Sequence, residues 1–336
     1  MATIKDIALK AQVSIATVSR ILSGNKTYSF SNETVLKVKE AAAELDYFSR
    51  KKLRPLKQAG AAKEAFSISI VYWFKEEQEH EFLYYREIRS GIEKRFISKN
   101  IPFRHYYTVE KFQKNKNKNT DGIIAVGKFS TQEIQVLQEN SSNIIFVDSS
   151  PDPLLFDSVT ADFFAAMKDL IEYCIEKGHR KIGYIGKKEY VGDGQAYPDI
   201  KEESYQLIMK SKELYDPSFH LVIDDPTPSA GFEIANHSLN KKMPDAFIVF
   251  SDTVSLGVLS AFQEASLKVP DDISIISFDD LPIARYTYPS LSTVKIFTEQ
   301  MGMAAADILC ERISQNIEIP RKIVIPHKVI IRNSSR

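Results

Sequence analysis

Cysteine is nearly absent: Cys174 and Cys310 are the only two among 336 residues. They stand far apart, each on a stretch with helical apolar spacing. Neither has the near neighbours that a metal site or a disulfide framework needs, so core packing is the role expected of both. No apolar run reaches the length of a membrane span, and Met1 is not followed by a leader with a basic start and an apolar centre. A cytoplasmic protein is expected. Asn-x-Ser/Thr triplets such as those beginning at Asn32, Asn140, Asn236 and Asn333 are then read as chance matches. There is no G-x-x-x-x-G-K-S/T loop, no G-x-G-x-x-G turn and no nucleophile elbow, and the six histidines lack metal spacing. No cofactor, no metal and no enzymatic activity are expected.

Net charge is zero as well, but it is unevenly spread. Residues 1–58 hold eleven lysines and arginines against five acids, a net +6, which leaves −6 for the remainder. A cationic head on an anionic body suits a polyanion partner for the head alone. The hydrophobic fraction of 43% and charged fraction of 26% are those of a globular protein, and the length allows two or three domains.

Residues 4–22 read IKDIALKAQVSIATVSRIL. Ile4, Ile7, Ala8 and Ala11 fall at helical spacing and form one apolar face. Thr3 is placed as the N-cap, with Asp6 near the positive helix end. Val13 closes the turn. Ser14 caps a second helix whose inner face is Val18, Ile21 and Leu22. Its outer face carries Ile15, Ala16, Thr17, Ser19 and Arg20. Hydroxyls that bond phosphates, an arginine that bonds guanine and small apolar groups that meet thymine methyls are what a major groove accepts. Any two-helix hairpin has an apolar inner face, so periodicity alone leaves DNA binding open.

The residues themselves say more. This run resembles the helix-turn-helix of the lac repressor family, which begins I-x-D-I/V-A and continues V-S-x-x-T-V-S-R at this spacing. The resemblance implies that Ile15 and Ala16 read bases. It also puts Thr17, Ser19 and Arg20 at phosphate- and base-contacting positions, and the cap hydroxyls of Thr3 and Ser14 are counted with them. A third helix is expected from Ser31 or Asn32 to about Leu45. The basic stretch after Tyr47 is then a hinge, and the resemblance implies a short helix there whose leucine, Leu56, wedges into the minor groove. Pro55 departs from the family pattern, and a proline inside a helix removes a donor. A shortened or displaced hinge helix is therefore expected.

From Phe66 onward short apolar runs alternate with helical patterns. Strands are expected at 67–74, 122–126, 144–148, 181–186, 219–223, 246–250 and 273–279. Helices are expected near 85–99, 162–177, 201–213, 229–240 and 254–266. Repeated βαβ units imply parallel sheets whose ligands bind beyond the carboxyl ends of the strands. Asp148, Asp252 and Asp279 each follow such a strand end. A carboxylate accepts two hydroxyl hydrogens at once, so three of them suit a sugar, although Asp252 could instead cap the next helix. Trp73 and Phe74 end the first strand, either as stacking surfaces or as core aromatics.

The body resembles the same family in Gly178-His179-Arg180-Lys181-Ile182-Gly183, Ser251-Asp252, Val269-Pro270-Asp271-Asp272-Ile273-Ser274, Phe278-Asp279 and Pro289-Ser290-Leu291-Ser292-Thr293-Val294. The fold implied is an all-α helix-turn-helix head joined by a hinge to an α/β periplasmic-binding-protein-like body of two doubly wound lobes. The expected division is 1–46 for the head, 47–65 for the hinge and linker, 66–158 plus 290–319 for one lobe, and 159–289 plus 320–334 for the other. Tyr84-Tyr85-Arg86-Glu87-Ile88, Asp199-Ile200-Lys201-Glu202 and Leu291-Ser292-Thr293-Val294 resemble the family's subgroup that represses an evolved β-galactosidase. The implied protein is a homodimeric transcriptional repressor on a near-palindromic DNA operator, released by a galactoside-like sugar. Lys201 is counted with the effector residues, although the sugar-binding members carry arginine there and lysine lacks its planar fork. A corepressor ligand or a phosphocarrier protein stays open as the alternative partner. No heptad tail follows Arg332, so no tetramer is expected by that route.

Overall fold

The computed structural model describes residues 4–22, 30–44, 67–78, 83–114, 120–192 and 194–336. It divides into two compact units, Met1–Lys63 and Glu64–Arg336. In the first, α1 (Ile4–Ala11), α2 (Ile15–Leu22) and α3 (Asn32–Glu44) enclose a small core. Ile7, Val18 and Val38 have no exposed surface, Ala8, Ala11 and Ala41 are buried, and Val13 and Ile21 pack against them. Ser31 starts α3, because its hydroxyl accepts the Thr34 N–H at 3.2 Å. The expected hinge and linker, 47–65, lie outside the described residues.

The second unit is built on two sheets. β1 (Ile68–Tyr72), α4 (Leu83–Ser98), β2 (Phe103–Tyr107), α5 (Val109–Gln113), β3 (Gly122–Val126), α6 (Thr131–Asn140), β4 (Ile144–Val147) and β5 (Asp157–Ala161) come first. Then follow α7 (Phe163–Glu176), β6 (Ile182–Lys187), the hairpin β7 (Glu189–Val191) and β8 (Gln195–Tyr197), α8 (Ile200–Ser211), β9 (His220–Ile223), α9 (Pro228–Leu239), β10 (Ala246–Val249), α10 (Asp252–Glu264) and β11 (Ser274–Asp279). The chain ends with β12 (Ser292–Ile296), α11 (Thr298–Gln315), β13 (Lys322–Ile325) and β14 (His327–Ile330). The first sheet runs β13-β5-β4-β3-β1-β2, all parallel. The second runs β14-β12-β11-β10-β6-β9, parallel except where β14 meets β12. Runs such as Ile144-Ile145-Phe146-Val147 are buried throughout, as parallel strands covered by helices on both faces must be. Cys174 lies in this core, where burial pushes its thiol up to about 12, and Cys310 is half-buried.

Sheet membership moves the lobe boundaries from those expected. β5 belongs wholly to the first sheet, so the first crossing follows Ala161 and not residue 158. β12 pairs with β11 in the second sheet, which places 292–296 there and not in the first lobe. β13 pairs with β5, so 322–325 return to the first sheet before β14 crosses back. The physical reason lies in polar residues. Asp157 and Ser158 have no exposed surface, and neither do Ser292 and Thr293, so these strands do not read as apolar runs.

Asp157 shows how such a residue is tolerated. Its carboxylate accepts Arg312 Nη1–H at 3.1 Å and the Arg321 backbone N–H, which ties the end of α11 and the start of β13 to the sheet. Asp157→Ala would leave Arg312 buried without its counter-charge. A loss of about 3–5 kcal/mol is expected, read as a lower denaturant midpoint of the body. A midpoint unchanged from wild type would remove this account.

α4 and α11 touch backbone to backbone. A Cβ on Gly91 would stand 2.1 Å from the Glu299 carbonyl oxygen, and one on Gly302 would stand 2.1 Å from that of Ile88. This contact fixes α4, whose first turn carries Tyr84 and Tyr85. Among the described residues no helix is long and apolar enough to cross a membrane.

Candidate functional site

In the head, Ser14 caps α2: its hydroxyl accepts the Thr17 N–H at 3.0 Å. Ser14, Ala16 and Ser19 are exposed, and Ile15 is 47% exposed despite its apolar side chain. The buried Val18 faces the other way. These residues therefore share an outward surface. Thr17 is half-buried, and its hydroxyl lies 2.9 Å from that of Ser14. Arg20 lies in α2, whereas Thr3 and Leu56 are outside the described residues.

In the body, the carboxyl ends of β1, β3 and β4 face those of β6, β10 and β11 across a cavity of about 110 Å³. Trp73, Asp148, Lys201 and Asp279 all line it. Asp148 follows β4 with φ of 70°, and its carboxylate accepts the Tyr84 and Tyr85 hydroxyls, each at 2.8 Å. Burial raises the Asp148 carboxyl above its ordinary value, against the pull of Lys128 and the two phenols. Asp279 ends β11 with φ of 110°, and burial pushes its carboxyl up to about 6, with Lys201 opposing and Asp148 assisting.

Lys201 stands on the first turn of α8, which Asp199 caps by accepting the Lys201 N–H at 2.8 Å. Its Nζ donates to the Phe250 carbonyl at 3.0 Å and lies 5.1 Å from the Phe163 ring centre and 5.3 Å from that of Phe278. The aromatic collar holds the ammonium by its ring faces. Lys201 therefore serves as a seated point charge rather than a free fork.

The Trp73 indole can lie in the cavity because of Gly127, where the backbone has φ of 103°. A Cβ there would stand 1.9 Å from Trp73 Cδ1. Gly127→Ala should therefore expel the indole and strain the turn as well. A drop of about tenfold or more in effector affinity is expected, measured by effector titration on protein whose melting temperature is checked in parallel. Unchanged affinity would mean that Trp73 does not contact the ligand.

Two expectations are corrected. Phe74 is 4% exposed and packs on Tyr72 and Tyr85, with ring centres 5.4 and 5.5 Å away, so it belongs to the core and not to this cavity. Asp252 also misses the cavity. Ser251 caps α10, and Asp252 follows it with no exposed surface. Its carboxylate accepts the Ser277 and Thr293 hydroxyls and, at 2.7 Å, the Leu281 N–H. It ties α10 to β11, β12 and the loop after Asp279. Burial, with Asp279 nearby, pushes this carboxyl up to about 7.

Besides the expected acids and aromatics, two lysines that were not expected stand at the same strand edges. Lys128 lies two residues past β3, and Lys187 is the last residue of β6. Lys128 pairs across the cleft with Glu189 of the hairpin, their side chains 14% and 13% exposed. Burial works against the Lys128 charge, but Glu189 and Asp148 more than compensate and raise its pKa. Among the described residues no group of three or more His, Cys, Asp or Glu could hold a metal.

Residues 3–49 match the sequence model for bacterial regulatory proteins of the lacI family, and residues 171–335 match that for a periplasmic binding protein-like domain. The HTH-type transcriptional regulator GalR of Streptococcus thermophilus is 34% identical over 339 aligned residues, with all of both chains covered. Two solved structures share the fold. A complex of the transcriptional regulator CelR with cellobiose superposes with a TM-score of 0.70 at 20% identity, covering 99% of this chain and all of that one. The lac repressor dimer bound to operator and the anti-inducer ONPF gives 0.69 at 20% identity, covering 99% and 98%. With a family match over its head and a full-length relative at this identity, the chain belongs to the lacI family of bacterial regulatory proteins and is an HTH-type transcriptional regulator.

Proposed function

We propose that this regulator is a repressor that leaves its operator when a sugar fills the cleft between the two lobes. One observation carries the reading: Asp148 and Asp279, from the carboxyl edges of opposite sheets, reach a single cavity that also holds the Trp73 indole. Carboxylates accept paired hydroxyl hydrogens and an indole face packs on a sugar ring, so a hydroxyl-rich, galactoside-like ligand suits the walls. Such a ligand touches both lobes and favours one arrangement of them. Coupling of about 1–3 kcal/mol to the DNA-bound state would change operator affinity roughly 5- to 150-fold.

At the other end of the mechanism, α2 enters the major groove. Ile15 and Ala16 meet base edges, while Ser14, Thr17, Ser19 and Arg20 hold phosphates and bases. Thr3 and the Leu56 wedge complete the contact. A homodimer places two such helices on a near-palindromic operator.

The test is fluorescence anisotropy of an end-labelled upstream palindrome with purified protein at fixed salt, titrated with galactose, lactose, other sugars and purines. Release by a sugar is expected. Tightening by any ligand would instead identify a corepressor, and indifference to every sugar would remove the sugar reading.

A further inference from the structure

A second hollow adjoins the cleft. It is a groove of about 380 Å³ between the β7–β8 hairpin and α8, and it shares Lys187, Glu189 and Asp199 with the inner cavity of about 110 Å³. We propose that the effector carries a second, uncharged sugar unit and that this groove receives it. The inference rests on the sugar reading above and specifies its ligand as a disaccharide or larger glycoside.

Two observations support it. First, a unit joined by one glycosidic bond to a ring in the inner cavity has to leave past its walls, and the shared residues mark where the roomier space begins. Second, the groove has the surface a sugar needs. Tyr197, half-buried at the end of the hairpin, lines this groove and offers it an aromatic ring, while Lys128, which lines the inner cavity, holds its Nζ 5.8 Å from the centre of that ring. Gln206 and Glu202 on α8 offer donors and acceptors, with Glu202 held by His220 Nε2 at 3.0 Å.

Charge narrows the class. Glu189, Asp199, Glu202 and Glu203 line the groove against Lys187 and Lys188. Hydroxyls gain from that excess of acceptors, whereas a phosphorylated unit is repelled.

The experiment is isothermal titration of the full-length protein with galactose, glucose, lactose, melibiose, maltose, cellobiose and galactose 6-phosphate. At least one disaccharide should bind ten times more tightly than its component monosaccharides. Tyr197→Ala should reduce that disaccharide to the monosaccharide level while monosaccharide affinity stays within twofold. Gln206→Trp, which fills the groove, should act in the same way, and both variants should keep the wild-type melting temperature. Equal affinity for monosaccharides and disaccharides, or a preference that survives both substitutions, overturns the second subsite. Tighter binding of the sugar phosphate overturns its neutral character. If no sugar binds the wild-type protein, the sugar reading itself falls and this inference falls with it.

Discussion

Asp279→Ala should abolish the response to effector, with a loss of about a hundredfold or more in effector affinity, while operator affinity stays within about twofold. Two charge-assisted hydrogen bonds to ligand hydroxyls contribute about 1.5–3 kcal/mol each, and alanine removes both acceptors. The backbone at this position has φ of 110°, which alanine tolerates poorly. Asp279→Asn is therefore the companion variant. It suits positive φ, keeps one acceptor and loses the charge, so an intermediate loss of about tenfold is expected. Burial raises the carboxyl to about 6, so ligand hydroxyls have to compete with the proton below that pH. Effector affinity should fall by up to tenfold for each unit from pH 6 to pH 5. The measurement is effector titration of the two variants and of wild type at both pH values. Wild-type release from the operator by Asp279→Ala protein would show that this pocket is not the effector site.

The second large effect concerns stability and pH. Asp252 has an ordinary value of 3.8 and rises to about 7 when buried. Between those values the unfolded chain has lost this proton and the native chain still holds it. The native state thus binds more protons, and stability falls as pH rises through the window. The stabilisation is fully present below about pH 4 and is lost as pH rises to about 7. Asp252→Asn removes the titration but not the packing. Turned so that its oxygen accepts the Leu281 N–H, the amide donates to the Ser277 and Thr293 oxygens. Its melting temperature should therefore fall less than that of wild type between pH 5 and pH 7.5. Parallel melting curves would show that Asp252 does not carry this proton. Asp252→Ala, by contrast, strands three donors at about 1–3 kcal/mol each and should be destabilised at every pH.

Much of the architecture could be read from local pattern. The runs at 122–126, 144–147 and 246–249 are short, apolar and buried on both faces, and they lie where expected. β5, β12 and β14 escaped because their polar residues find partners far along the chain, as Asp157 does in Arg312 and Arg321, Thr293 in Asp252 and His327 in Asp169. α11 was legible but unread: Met301, Ala305, Ile308 and Leu309 repeat at helical spacing. In the cleft, the rule that ligands gather beyond strand ends found Asp148 and Asp279. The same rule could not distinguish Asp252, because whether a strand-end acid faces a cavity or a neighbouring strand depends on side chains some 25 to 41 residues away in sequence. Nor could it choose between Trp73 and Phe74. That choice is made by the missing side chain at Gly127.

The indole in the cleft has a further use. Trp73 is the only tryptophan of the chain, so emission excited selectively at the red edge of indole absorption, beyond the reach of the tyrosines, has a single origin. Lys187 Nζ lies 5.8 Å from that ring, and the Tyr85 ring centre 6.0 Å away meets it edge-on. Any ligand that displaces the ammonium or covers the ring should alter the spectrum directly. The protein then carries its own optical probe, without a dye and without DNA. Stopped-flow mixing could time the filling of the cleft separately from any change in DNA binding, and so show which of the two sets the pace of the response.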